Sequence, residues 1–136
     1  MTKSRVRITS GAPWEDRVGY RRAVRCGDQV FVSGTVSVDA DGRPHAPGDA
    51  GAQAERCLEI ILAALAQFEA GPEHVVRTRI YVTDMAPESQ AAVGAAHRAV
   101  FAAHPPASTM VGVSALAAPD FIVEIEADAI LDQAGA

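Results

Sequence analysis

FIVEIEADAIL, residues 121–131, alternates apolar and mostly acidic positions with a period of two. That is the pattern of a β-strand with one face on a core and the other on a polar surface. Phe121, Val123, Ile125, Ala127 and Ala129 fall on one side, the side expected to meet helices. Ile122, Glu124, Glu126, Asp128 and Ile130 fall on the other. VVRTRIYVTD, residues 75–84, has strong β-propensity and divides in the same way. Val76, Thr78, Ile80 and Val82 share one face, and Arg77, Arg79 and Tyr81 the opposite one. A helix-free sheet face carrying acids and bases together is therefore expected. It reads either as a set of cross-strand ion pairs or as a polar cleft at a subunit boundary.

Working outward, residues 5–8 read as a short strand and 14–17 as a loop. Residues 20–26 and 29–36 read as strands flanking a hairpin turn at Gly27 and Asp28. The stretch 39–48 is rich in Asp, Gly and Pro and reads as a loop. A helix is predicted over 49–69, with Ala54, Leu58, Ile61, Leu62, Leu65 and Phe68 on one apolar stripe and Glu55 and Glu59 on the wetter side. Gly71 and Pro72 stop it. A second helix is predicted over 87–103, with Pro87 in its first turn and Val93, Ala96, Val100 and Phe101 buried. Pro105 and Pro106 break it, and a strand over 108–114 precedes the final one. The order β-β-β-α-β-α-β-β, with such short connections, predicts an α+β fold: one mixed sheet with both helices on a single face. The 136 residues fit one domain, 1–136.

Composition narrows the function classes. A net charge of -5 opposes general nucleic-acid binding, which needs clustered Lys and Arg. No apolar run is long enough for a bilayer, and the first residues lack the apolar core of a signal peptide, so a cytoplasmic protein is expected. Cys26 and Cys57 are far apart and read as buried free thiols. The four histidines are scattered without spaced carboxylates, so no metal is expected. Neither is a cofactor, since Gly42 and Gly48 lie in a Pro-rich loop and not in a phosphate cradle. His97 and His104 read as packing or capping residues. Ser108 and Ser114 lack a Ser-His-Asp context. Trp14 reads as a lid over a cleft or as a loop anchor.

Several segments together resemble the Rid family, the YjgF/YER057c/UK114 group. GYRRAVRCGDQVFVSG is similar to its opening hairpin, VVRTRIYVTDM to its central strand, and PASTMVGVSAL and IVEIEADAI to its C-terminal strands. The match runs over residues 20–130 in the family's order and spacing. It implies a chorismate-mutase-like fold, a homotrimer whose sheets pack around a central barrel, and small-molecule clefts between subunits. It also implies hydrolysis of reactive enamines and imines such as 2-aminoacrylate. Glu124 then matches the water-positioning glutamate. Tyr20 matches the cleft tyrosine, and Ser33 and Gly34 the strand-end wall. The position of the carboxylate-binding arginine holds Ser108, followed by Thr109 and Met110, where the family has a cysteine at the latter position. The asparagine of the second helix is replaced by Gly94. A serine cannot act as a bidentate cationic clamp, which argues against efficient 2-aminoacrylate deamination. Arg79 is a candidate replacement cation, or else pairs with Glu126 or Asp128.

Three functions compete at this point. The first is an enzyme that hydrolyses an enamine, imine or related metabolite, with Glu124 orienting water and Tyr20, Ser33, Ser108 and Thr109 shaping the pocket. The second is a trimer that holds a small carboxylate or ketone without turning it over. The third is an RNA-cleaving or translation-inhibiting role, since some relatives carry those labels; the acidic balance opposes it.

Overall fold

The structure, a computed structural model, describes residues 4–132. Six strands form one mixed sheet: β1 (Arg5–Ile8), β2 (Ala23–Cys26), β3 (Gln29–Val36), β4 (Val75–Val82), β5 (Ala107–Gly112) and β6 (Val123–Ile130). Their order is β1-β2-β3-β6-β4-β5. Every neighbouring pair is antiparallel except β4 and β5. Those two are parallel because the chain crosses between them through a helix, α3 (Pro87–Phe101). The other helices are α1 (Pro13–Val18) and α2 (Ala50–Ala66), and a single 3-10 turn, Pro72–His74, leads into β4. Among the described residues no helix is long and apolar enough to cross a membrane.

β6 lies inside the sheet, and its alternation is realised as expected. Val123, Ile125, Ala127 and Ala129 are buried, while Glu124, Glu126 and Asp128 between them are only half-buried. The covering layer is α2 and α3, with Leu58, Ile61, Leu65, Val93 and Phe101 buried against the sheet. Asp49 caps α2 by accepting from the Ala52 amide.

Gln53 departs from the apolar pattern of α2. It is fully buried, donates to the Asp120 and Ala46 carbonyls at 2.7 and 3.1 Å, and accepts from the Ile122 and Val123 amides at 2.9 and 3.3 Å. It ties the entry of β6 to the helix layer.

Three expectations need correction. Residues 14–17 are not a loop but the middle of α1, with Pro13 in its first turn and Gly19 in the left-handed conformation (φ 91) at its end. Six residues are too few for apolar periodicity to register, although Pro and Gly bracket the helix in their usual places. The strand expected over 20–26 starts only at Ala23. Val76 does not share the helix face. Val75 pairs with Ala129 and Arg77 with Asp128, so one extra residue is accommodated in a bulge. That shift buries Val75 and leaves Val76 43% exposed.

Candidate functional site

A second bulge shapes the open face. Val32 pairs with Ala127 and Thr35 with Ile125, so Ser33 and Gly34 together span the place opposite Glu126. Bulges re-aim local groups, and here the result is a close approach to Glu124. A Cβ on Gly34 would stand 3.0 Å from Glu124 Oε2. On the other side, Arg22 Nη2 donates to the Gly34 carbonyl at 2.6 Å. The Glu124 carboxyl is pushed above the usual carboxylate range, first by burial and then by the Glu126 charge, with Arg22 opposing. A carboxylate kept basic in this way can take a proton from water.

Tyr20 is delivered to the same end of the sheet by α1. The Gly19 and Tyr20 amides both donate to the Glu15 carbonyl at 2.9 Å, which closes the helix and aims the chain at β2. Tyr20 lines an open cavity of about 470 Å³ with Arg7, Glu15, Arg21, Val24 and Ser33. Ser33 Oγ donates to the Arg21 carbonyl at 2.6 Å. The Glu15 side chain is buried. Burial alone would raise its pKa, but hydrogen bonds from Ser10 and Thr9 and the Arg22 charge outweigh that and hold it below the usual range. Trp14, on α1, is 60% exposed, with Arg17 placed 5.5 Å over its ring.

Arg79 is committed within the subunit. Its Nη1 lies 3.2 Å from Asp128 Oδ2 and 3.5 Å from Glu126 Oε1. Tyr81 donates to the same Glu126 oxygen at 2.9 Å, and that bond, followed by burial, pushes the phenol pKa up. Arg79 and Tyr81 of β4 are thus matched to Glu126 and Asp128 on β6, the nearer of them two residues along the strand from Glu124.

Ser108 occupies a different environment. It pairs with Thr78 in the β4–β5 register, and Thr78 is wholly buried on the helix side. Thr78 Oγ1 donates to Ser108 Oγ at 2.8 Å, and His97 Nε2 of α3 lies 2.8 Å from the same Thr78 oxygen. His97 also packs on Phe101, ring centroids 4.6 Å apart, and burial lowers its pKa. Met110 is half-buried against the core. Thr109, paired with Arg79, falls on the open face. Gly94 is exposed on α3 with nothing within 4 Å of where its Cβ would be. One subunit therefore gathers Tyr20, Ser33, Gly34 and Glu124, and holds Ser108 and Met110 apart from them. β5 is two strand spacings from β6, roughly 10 Å, and Ser108 faces the helices while Glu124 faces away.

Arg22, Gln53 and the Thr78–His97 link were not singled out in the sequence. Arg22 lies in a run of three arginines within RRAVR, and nothing local distinguishes it from Arg21 or Arg25. Among the described residues no group of three or more His, Cys, Asp or Glu side chains is placed to hold a metal ion. Cys26 and Cys57 are both free, and burial pushes the Cys57 thiol up to about 12.

The family model described as Endoribonuclease L-PSP matches residues 11–131. The chain belongs to the Rid, or YjgF/YER057c/UK114, family. A solved structure of Rv2704 from Mycobacterium tuberculosis, described as a member of that family, is 43% identical, with a TM-score of 0.84 over 94% of this chain and 100% of that one. The YjgF gene product of E. coli is 30% identical, with a TM-score of 0.77 over 93% of this chain and 98% of that one. The RutC family protein UK114 of Drosophila melanogaster is 31% identical over 82% of this chain and 78% of its own length. The Rid fold expected from the resemblance is thus the fold observed.

Proposed function

We propose that this Rid-family chain forms a homotrimer and hydrolyses small imines or enamines in clefts between its subunits. The observation that carries the reading is Glu124: a half-buried carboxylate with a raised pKa, seated against Gly34, while the neighbouring Arg79 is taken up by Glu126 and Asp128. In the reaction Glu124 accepts a proton from water as its oxygen attacks the imine carbon. Glu124 passes that proton to the imine nitrogen to give a neutral carbinolamine, whose hydroxyl proton moves to nitrogen as the C=O bond forms and the C–N bond breaks, leaving a carbonyl compound and ammonia. Tyr20, Ser33 and Gly34 wall the same end of the pocket. Ser108, Thr109 and Met110 of an adjacent copy complete it, which accounts for their separation from Glu124 within one subunit. Arg79 serves the acid cluster as an ion-pair partner. Two free cysteines suit a reducing, cytoplasmic setting.

The test is ammonia release from a panel of unstable imines generated in situ. Wild type is expected to exceed buffer, and Glu124→Ala to fall back to it. A panel on which wild type never exceeds buffer removes the reading. The serine at position 108 favours a second reading, a trimer that binds a small carboxylate or ketone without converting it. A ligand that raises the melting temperature and is recovered unchanged would support that alternative.

A further inference from the structure

Arg22 is a cation carried inward without an ion pair. Its Nε is buried and has no hydrogen-bond partner, while its Nη2 reaches the solvent-exposed side and donates to the Gly34 carbonyl at 2.6 Å. Among the described residues that is the one hydrogen bond its side chain makes, out of a planar fork of N–H donors. Arg21, Arg56 and Arg79 each have a carboxylate within 3.5 Å, whereas none of the described carboxylates comes within ion-pair distance of Arg22. Burial is the chief influence on its pKa and lowers it, with Tyr20, Glu15 and Glu124 opposing. A guanidinium keeps its charge in a protein, so part of its desolvation is left uncompensated. Arg22 directly precedes β2, and its carbonyl accepts from the Ser33 amide at 3.0 Å. Gly34 stands between the guanidinium and Glu124: its carbonyl holds Nη2, and its Cβ position faces Glu124 Oε2. One residue of backbone, about 3.8 Å, thus separates an unpaired cation from the carboxyl proposed to activate water.

We infer that Arg22 is the anion-binding residue of this cleft, and that it takes a small carboxylate on the N–H groups that Gly34 leaves free. The inference rests on the proposed cleft only for the chemistry that follows binding. A guanidinium can donate but not accept, so the ligand atoms it faces are acceptors. The missing counter-charge selects an anion over a neutral oxygen, and the planar fork suits a carboxylate. The other open-face cation near Glu124, Arg79, is held by Glu126 and Asp128. Position also limits the ligand. In a 2-oxo or 2-imino acid the carboxylate is bonded directly to the carbon that water attacks. Clamp and base must then be near neighbours, as Arg22 and Glu124 are across Gly34.

The test is calorimetric titration of the intact protein with pyruvate and with pyruvamide, which differ only in carboxylate against amide. Wild type is expected to bind pyruvate about ten- to a hundredfold more tightly, the worth of a hydrogen bond to a charged group. Arg22→Gln should lower pyruvate affinity to the pyruvamide level and leave pyruvamide binding where it was. Arg22→Lys, which keeps the charge without the fork, should fall between the two. Arg79→Gln should retain the preference, and its loss there would move the anion site to Arg79 and overturn the inference. A residue that only held Gly34 in place would weaken both ligands alike in Arg22→Gln, and that result overturns it too. Should Arg22→Gln fail to fold, Arg22→Lys decides, with unchanged pyruvate affinity counting against the inference. A wild type that binds neither ligand, binds both equally, or keeps its preference in Arg22→Gln also overturns it. Ammonia release from imines is read separately. Turnover without the pyruvate preference leaves hydrolysis by Glu124 standing and removes this inference, and the preference without turnover does the reverse.

Discussion

The carboxylate of Glu124 fills the space that a side chain at residue 34 would need: a Cβ on Gly34 would stand 3.0 Å from Oε2 and 3.1 Å from Cδ. Gly34→Ala must therefore push the carboxylate aside. The atoms displaced are the far end of a flexible side chain, so folding should suffer little, by about 1 kcal/mol or less. Catalytic geometry is less forgiving, since a misplacement of ~1 Å can cost roughly a hundredfold. Gly34→Ala is expected to cut ammonia release at least tenfold while shifting the urea midpoint only slightly. Unchanged kcat would mean that the Glu124 position seen here is not the working one.

Glu124 holds its proton to a higher pH than an ordinary glutamate, because burial and then the Glu126 charge disfavour ionisation. Its basic form is lost as pH falls through that raised value, so the acid limb of kcat/KM should lie above the ordinary glutamate range. Arg22 opposes the shift, so Arg22→Gln should move the limb to higher pH and Glu126→Gln to lower pH. Stability runs the opposite way. A raised folded-state pKa contributes stability that is complete below the unfolded value and lost as pH rises through the folded one. Glu124→Gln should match wild type in acid and melt higher than wild type at neutral pH, where it also loses activity. Limbs that stay fixed in both variants would assign the titration to another group.

Gln53 makes four hydrogen bonds from a fully buried position, reaching Ala46, Asp120, Ile122 and Val123. Gln53→Leu keeps the volume and strips the partners. Carbonyls and amides left unsatisfied cost about 1–3 kcal/mol each, and partial relaxation puts the expected loss at roughly 2–4 kcal/mol. The same change frees the entry of β6 two residues before Glu124, so activity should fall further than the loss of folded protein explains. Equilibrium urea unfolding, with kcat measured at a temperature where the variant is folded, separates the two effects.

The fold and the site are unevenly legible in the sequence. The alternation in residues 121–131 was readable because burial on one sheet face imposes a period of two, and nothing in β6 interrupts it. The bulges at Val76 and at Ser33–Gly34 were not, because a local register slip is set by how strands fit across the sheet. Helix α1 escaped notice through shortness alone. Glu124, Tyr20, Ser33 and Gly34 were named from the Rid resemblance, and the fold brings them to one end of the sheet. That Ser108 turns toward the helices and joins His97 could not be read, since it depends on where α3 lies over β4 and β5. Gln53 sits beside Ala54 at the border of the apolar stripe, and its partners at Asp120, Ile122 and Val123 are 67 to 70 residues away along the chain.

The open sheet face leaves Phe31 47% and Ile130 45% exposed, beside the acids of β6. Phe31 stands opposite Asp128 in the ladder. Apolar groups set among charges on a face without helices suit a surface that another copy covers. Phe31→Asp adds a like charge opposite Asp128 but touches no core residue of the subunit. It should therefore dissociate the proposed trimer and abolish imine hydrolysis while the far-UV circular dichroism stays native. Sharing of clefts gives a sharper check. Glu124→Ala and Ser108→Ala would damage different sides of each cleft, so unfolding and refolding the two variants together should regenerate some intact clefts and recover part of the lost activity. Sedimentation equilibrium reads the assembly and ammonia release reads the clefts. A wild type that sediments as a single subunit and still hydrolyses imines would break the link between assembly and chemistry, and so would mixed subunits that recover nothing.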